Sequence, residues 1–261
     1  MEKIMRFIAK NRYIMSMLCG IIVGCTVGAL GALNDLPLGV SISIGLVFVI
    51  PVTFLITGCG PILQNRALKL MNENCDPYPF LEETRTQLSY PGNRAGEILV
   101  KMNHAMALRC VGEYEQSWLI LNAIHIDKYH YSPVAKAVYY NNLTDILTLL
   151  GRNEEAEVWY RKTVQVINDL PPKARKKLET ARDLAIAEHF YRIGEYETAL
   201  ERRGAVTPAN ALARVENAIF RARCFLALED RESARRELEY VIANGNRLHF
   251  VTEARSILDT I

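Results

Sequence analysis

The sequence predicts an all-α protein: an N-terminal membrane hairpin of two helices, followed by helical repeats. Two observations predict it. Residues 1–58 hold two long apolar runs separated only by a short turn, and the chain beyond them repeats a short glycine–acid–small-residue signal. We therefore divide the chain into a membrane anchor (1–70), a linker (71–93) and a helical repeat region (94–261).

Residues 13–34 carry no charged side chain, and neither do residues 36–65. Each stretch contains an apolar run of the ~20 residues that a helix needs to cross a bilayer. The expected transmembrane helices run over about 13–34 and 36–57, and Asp35 is the one charge between them. A turn of Asn34, Asp35, Leu36, Pro37, Leu38 and Gly39 is too short to be a domain, so both ends of the hairpin belong on one side of the membrane. Lys3, Arg6, Lys10 and Arg12 precede the first helix, and Arg66 and Lys69 follow the second. An excess of Lys and Arg marks the cytoplasmic side, so both termini are expected in the cytoplasm. Such an anchor suits a bacterial plasma membrane. The first run is longer than the apolar core of a cleaved leader. Residues 56–59 (ITGC) resemble a lipoprotein cleavage box, but they follow two apolar segments, which places Cys59 near a helix end instead.

Gly20, Gly24 and Gly28 fall four residues apart and share one helix face, leaving a shallow groove that admits another backbone. Ser41 and Gly45 on the second helix offer a matching small pair, so packing within the hairpin is the expected use of this face, with homo-oligomerisation as its rival. Pro51 is tolerable in a membrane helix, where hydroxyls such as that of Thr53 can satisfy freed backbone groups. Apart from Ser and Thr the two runs hold no polar groups of the kind that conduction requires.

Between anchor and repeats the pattern loosens. Pro77, Pro79 and the turn at 90–93 (YPGN) bracket a charged stretch, 81–88, read as one or two helical turns in a structured linker.

The repeating signal is GEYEQS at 112–117, GRNEEA at 151–156, GEYETA at 194–199 and EDRESA at 229–234, with starts 39, 43 and 35 residues apart. Each piece has a physical purpose. Glycine ends one helix in a left-handed conformation, acids open the next near its positive end, and the small residue lets the two approach. Gly112, Tyr114, Ser117 and Leu121, then Tyr140, Leu143, Leu147, Gly151, Ala156 and Tyr160, then Ala187, Phe190, Gly194, Tyr196 and Ala199, then Ala222, Phe225, Ala234 and Leu238 carry a resemblance to the tetratricopeptide repeat family. Two positions depart from the pattern: Glu229 stands where glycine is usual and Asn153 where tyrosine is usual. A last helix at 250–261 is expected to cap the final apolar face.

The resemblance implies a right-handed solenoid whose first helices line a groove for a protein partner. Registering the repeats puts Met102, Met106, Arg109, Asn141, Asp145, Glu188, Tyr191, Arg192, Ile219 and Arg223 on that surface. Methionine at 102 and 106 speaks against a clamp for carboxylate tails and for adaptable apolar packing.

The remaining composition narrows function further. Lys plus Arg number 31 against 29 Asp plus Glu, a net charge of +2, so no basic field points to nucleic acid. Lys173, Arg175, Lys176 and Lys177 read as a solvated helix start, and the arginines of 202–236 are interleaved with acids as on an ion-paired helix surface. Six cysteines lack CxxC spacing and read as reduced thiols, and His125 and His130 do not stack on one helix face, so neither a metal nor a cofactor is expected. Without a phosphate loop, a zinc-protease motif or a nucleophile elbow, no enzyme is expected. Asn142 matches a glycosylation acceptor only by accident of sequence, since it lies mid-helix. The sequence thus predicts a membrane-tethered scaffold or adaptor, with a structural subunit of a larger membrane complex as the alternative.

Overall fold

Charge-free apolar sequence forms the two long N-terminal helices. The computed structural model describes residues 1–34, 37–90, 94–128 and 131–261, and among these every regular element is helical. A short amphipathic helix, α1 (Glu2–Lys10), precedes α2 (Arg12–Leu33) and α3 (Leu38–Asn74). Glu2, Lys3, Arg6 and Lys10 share one side of α1, while Ile4 and Phe7 on the other are 65% and 61% exposed. Asn11 breaks the helix, its Nδ2 donating to the Phe7 carbonyl at 2.9 Å.

Both α2 and α3 are long and apolar enough to cross a membrane. The second is longer than expected. Its 37 residues span about 56 Å, and it continues through Pro51 and Pro61 to Asn74. Asp35 and Leu36 of the expected turn lie outside the described residues. Within α3 the Ser43 and Thr57 hydroxyls donate to the Gly39 and Thr53 carbonyls one turn back.

The small-residue packing differs from expectation. Ser41 seats against Gly31, close enough that a methyl group on Gly31 would strike its hydroxyl, and Gly45 lies opposite Val27. Nothing stands within 4 Å of the Cβ positions of Gly20, Gly24 or Gly28. The glycine stripe is therefore not the face on which the hairpin closes. The close contacts are instead those of Gly31 with Ser41 and of Gly45 with Val27.

The chain forms two compact units, Met1–Ala67 with Arg85–Gly92, and Leu68–Thr84 with Asn93–Ile261. The stretch expected to be a linker contains a full helix, α4 (Tyr78–Leu88), in which Phe80 and Thr84 are buried. Residues 91–93 of the expected turn lie outside the described residues. The larger unit continues with α5 (Arg94–Cys110), α6 (Tyr114–Asn122), α7 (Pro133–Leu149), α8 (Asn153–Asn168), α9 (Pro172–Lys177), α10 (Glu179–Arg192), α11 (Tyr196–Gly204), α12 (Ala211–Ala227), α13 (Arg231–Asn244) and α14 (His249–Leu258).

Helices pack in consecutive pairs: α5 with α6, α7 with α8, α10 with α11, and α12 with α13. The turn inside each pair is the same. Gly112, Gly151, Gly194 and Glu229 all take positive φ, at 88°, 72°, 85° and 63°. In each turn two N–H groups fold back onto the preceding helix: Gly112 onto Arg109 and Glu113 onto Leu108, Gly151 onto Thr148 and Arg152 onto Leu147, Gly194 onto Tyr191 and Glu195 onto Phe190, Glu229 onto Leu226 and Asp230 onto Phe225. These bonds occupy carbonyls that a helix end otherwise leaves open. Ser117, Ala156, Ala199 and Ala234 are buried where the paired helices approach, and the Ser117 hydroxyl donates to the Ala105 carbonyl at 2.8 Å.

The last helix, α14, starts at His249 and buries Phe250, Val251 and Ala254 while packing on α13 and α12. His249 also meets the α5–α6 turn, edge-on to Tyr114 at 5.6 Å and against Gly112. Arg109 of α5 pairs with Glu216 of α12. The first and last pairs thus touch, beyond the nearest-neighbour contacts of an open stack. Near them Arg247 lies over the Tyr78 ring at 4.0 Å and pairs with Asp76 at 3.2 Å.

Thermal unfolding of the full chain in detergent micelles, followed by circular dichroism, tests the turns. Gly151→Ala loses about 1–2 kcal/mol from backbone strain alone, because nothing stands near its Cβ position. Gly112→Ala loses about 1–3 kcal/mol more, because the methyl group meets His249. Glu229→Gly relieves strain and gains about 0.5 kcal/mol. Equal losses at Gly112 and Gly151 would contradict the contact with His249.

Candidate functional site

The first helices of the pairs turn one face toward a common interior in the larger unit. There a cavity of about 140 Å³ is lined by side chains of α5, α7, α10, α11, α12 and α14. Arg109, Asn141, Asp145, Glu188, Ile219 and Arg223, six of the ten expected surface residues, line it. A space of this size admits a benzene-sized guest or one side chain and is well below the ~300 Å³ at which drug-sized pockets begin.

The other four expected residues lie elsewhere. Met102 is 5% exposed and belongs to the apolar core shared with Leu121, Leu143 and Leu147. Met106 is partly buried and does not line the cavity. Tyr191 packs its ring against Tyr196 and Phe220 at 5.7 and 5.6 Å. Arg192, its side chain only 2% exposed, bonds Thr148 Oγ1 at 3.2 Å and Glu157 at 3.4 Å. A helical period identifies a buried stripe but does not distinguish the core between paired helices from the interior face beside it.

Register also missed other lining residues, among them two charged ones, Glu216 and Arg203, and the aromatic Phe250. Glu216 stands three residues before Ile219 on the same helix, so helical spacing could have found it. Arg203 sits on α11, the second helix of its pair, and Phe250 on α14, outside the repeat; neither carries a sequence signal.

The cavity charges are mostly paired. Arg109 pairs with Glu216; Arg203 reaches Glu188 at 3.3 Å and donates from Nε to Asn217 Oδ1 at 2.6 Å; Arg223 grips Glu253 through two bonds of 2.8 Å. Asp145 forms no ion pair among the described residues. Its contact is with Asn141, whose Nδ2 lies 3.4 Å from Asp145 Oδ2, and the Asn141 Oδ1 is buried with no donor. Burial, together with the charges of Glu188 and Glu216, pushes the Asp145 carboxyl up to about 6 against the opposing pull of Arg109 and Arg203. Burial works against the charge on Arg109, yet Glu216, Cys110 and Asp145 outweigh it and raise its pKa.

Two buried thiols, Cys110 and Cys224, belong to the same unit as this interior. Burial pushes the Cys110 and Cys224 thiols up to about 12, which keeps them protonated. Among the described residues no group of three or more His, Cys, Asp or Glu is placed to hold a metal ion, and His130 lies outside them. No family model, curated protein or solved structure matches the chain.

Asp145 sets a pH dependence of known sign. Its folded pKa is above the unfolded value of 3.8, so its contribution to stability is complete below about pH 4 and declines as pH rises to about 6. Chemical denaturation of the full chain in micelles should show Asp145→Asn gaining roughly 1–3 kcal/mol over the native chain at neutral pH, with the difference shrinking as pH falls from about 6 to about 4. A difference independent of pH would mean that Asp145 titrates normally.

Proposed function

We propose that this chain is a membrane-tethered adaptor whose helical pairs form a tetratricopeptide-like solenoid that receives part of another protein. The supporting observation is convergence: side chains from four first helices meet at one charged cavity, including six chosen from the repeat register alone. In this reading the superhelix winds tightly enough for its first and last pairs to touch. The small cavity then takes a single side chain of the partner, while the surrounding helix faces supply the rest of the contact. The basic residues flanking α2 and α3 favour a cytoplasmic location for both termini. Tethering raises the local concentration of the binding face for partners held at the same membrane.

A second reading rests on the hairpin. The Gly20, Gly24 and Gly28 face is open, which suits a structural subunit of a larger membrane complex or a second copy of this chain packing there.

Cross-linking in intact source cells with mass spectrometry separates the two, comparing the native chain with Gly20→Leu/Gly24→Leu/Gly28→Leu. The adaptor reading expects a partner cross-linked to α5, α7, α10 or α12 and retained in the variant. Partners cross-linked only through α2, and lost when the stripe is filled, would replace it with the subunit reading.

A further inference from the structure

The cavity wall carries three guanidinium groups and three carboxylates, but they are not all paired with one another. Around Asp145 stand Arg109 from α5, Glu188 from α10, Arg203 from α11 and Glu216 from α12, two guanidinium groups against three carboxylates. Arg223, also on the lining, is occupied by Glu253 of α14. The Asp145 carboxylate feels Arg109 and Arg203 but, among the described residues, forms no ion pair with either. Beside it the buried Asn141 Oδ1 lacks a donor, so two acceptors on adjacent turns of α7 both lack a hydrogen-bonding cation. Thr148, one turn further along the same helix, also lines the space.

We propose that this cavity binds an organic cation, an ammonium or guanidinium group carried on a narrow unbranched chain. Such a group supplies what the site lacks, a hydrogen-bonding positive charge for Asp145. The volume of about 140 Å³ fits the end of a lysine or arginine side chain and is too small for a nucleotide or an aromatic cofactor. The apolar wall formed by Leu149, Leu184, Ile219 and Phe250 suits a methylene stem. A metal ion is a poorer match, because only one carboxylate is uncommitted and no cluster of three ligating side chains is present among the described residues. The inference deepens the adaptor reading by giving the received side chain a chemistry, but binding of the cation itself requires no partner.

Titration calorimetry on the purified full chain in detergent micelles tests it, above the pH at which Asp145 titrates. The probes are n-butylammonium, n-butanol as its uncharged analogue, spermidine, and a short peptide with one lysine. The expected result is n-butylammonium binding with a Kd in the millimolar range, weakened at least about tenfold in Asp145→Asn. It should also weaken at acid pH, where Asp145 is neutral, and tighten in Asn141→Asp. A lysine peptide that binds more tightly than spermidine identifies a partner side chain as the source; the reverse identifies a free polyamine. Equal binding of n-butanol, unchanged binding in folded Asp145→Asn, or no binding of any cation overturns the proposal. Cation binding with no partner found in cells would instead retain the site and remove the adaptor reading.

Discussion

The helical pairs depend on one backbone constraint, the left-handed residue that closes each turn. At Gly112, Gly151, Gly194 and Glu229 the chain takes positive φ and sends two N–H groups back to the helix it has just left. That geometry fixes the reversal, and the small residue five positions on allows the returning helix to approach closely. Because the turn recurs with the same bonds, successive first helices present equivalent faces to one interior. The cavity is the sum of those faces. Glu229 shows the strength of the constraint: the backbone holds an ordinary side chain in a conformation that costs about 1–2 kcal/mol, because the turn and its two bonds are otherwise kept.

Interior charge is the second organising feature. Three arginines line the cavity and each has a carboxylate partner, two of them bridging different helical pairs or the terminal helix. Arg109 and Glu216 join the first pair to the fourth, so the pair acts as a clasp as well as a charge balance. Partly buried ion pairs contribute little net stability against apolar replacements, while leaving one partner alone is costly. Asp145 is in that costly position. A carboxylate whose burial lowers stability at neutral pH, facing a space with a second unpaired acceptor, has the arrangement of a site that trades stability for binding.

Much of the fold was legible because its strongest constraints are local in sequence. Long charge-free runs have one economical fate, and the glycine–acid–small signal encodes a turn within six residues. The ends of elements were less legible. Nothing in the run after Ile56 stops a helix, and α3 passes Pro61 to reach Asn74 because proline removes one hydrogen bond while the helix on either side is kept. The interior was half legible. Register located Arg109, Asn141, Asp145, Glu188, Ile219 and Arg223, but it assigned Met102 to the same surface because core and interior faces lie side by side on one helix. Arg203 was hidden by its place on a second helix. The glycine stripe was legible as a groove, but four-residue spacing does not say what fills it.

The two parts of the chain meet the cost of polar groups in opposite ways. The hairpin helices exclude charge over residues 13–34 and 36–65, satisfying their backbones internally and their hydroxyls one turn back, as for Thr57 with Thr53. Between such helices there is no hydrophobic drive in a bilayer, so close backbone approach must hold them, and only Gly31–Ser41 and Val27–Gly45 near the turn supply it among the glycine contacts. The helical pairs instead gather charge inward and balance it residue by residue. In the hairpin a missing contact leaves merely an open face; in the cavity a missing ion pair leaves an energetic deficit at a defined atom. That difference makes Asp145, and not the glycine stripe, the feature on which the proposed cation site rests.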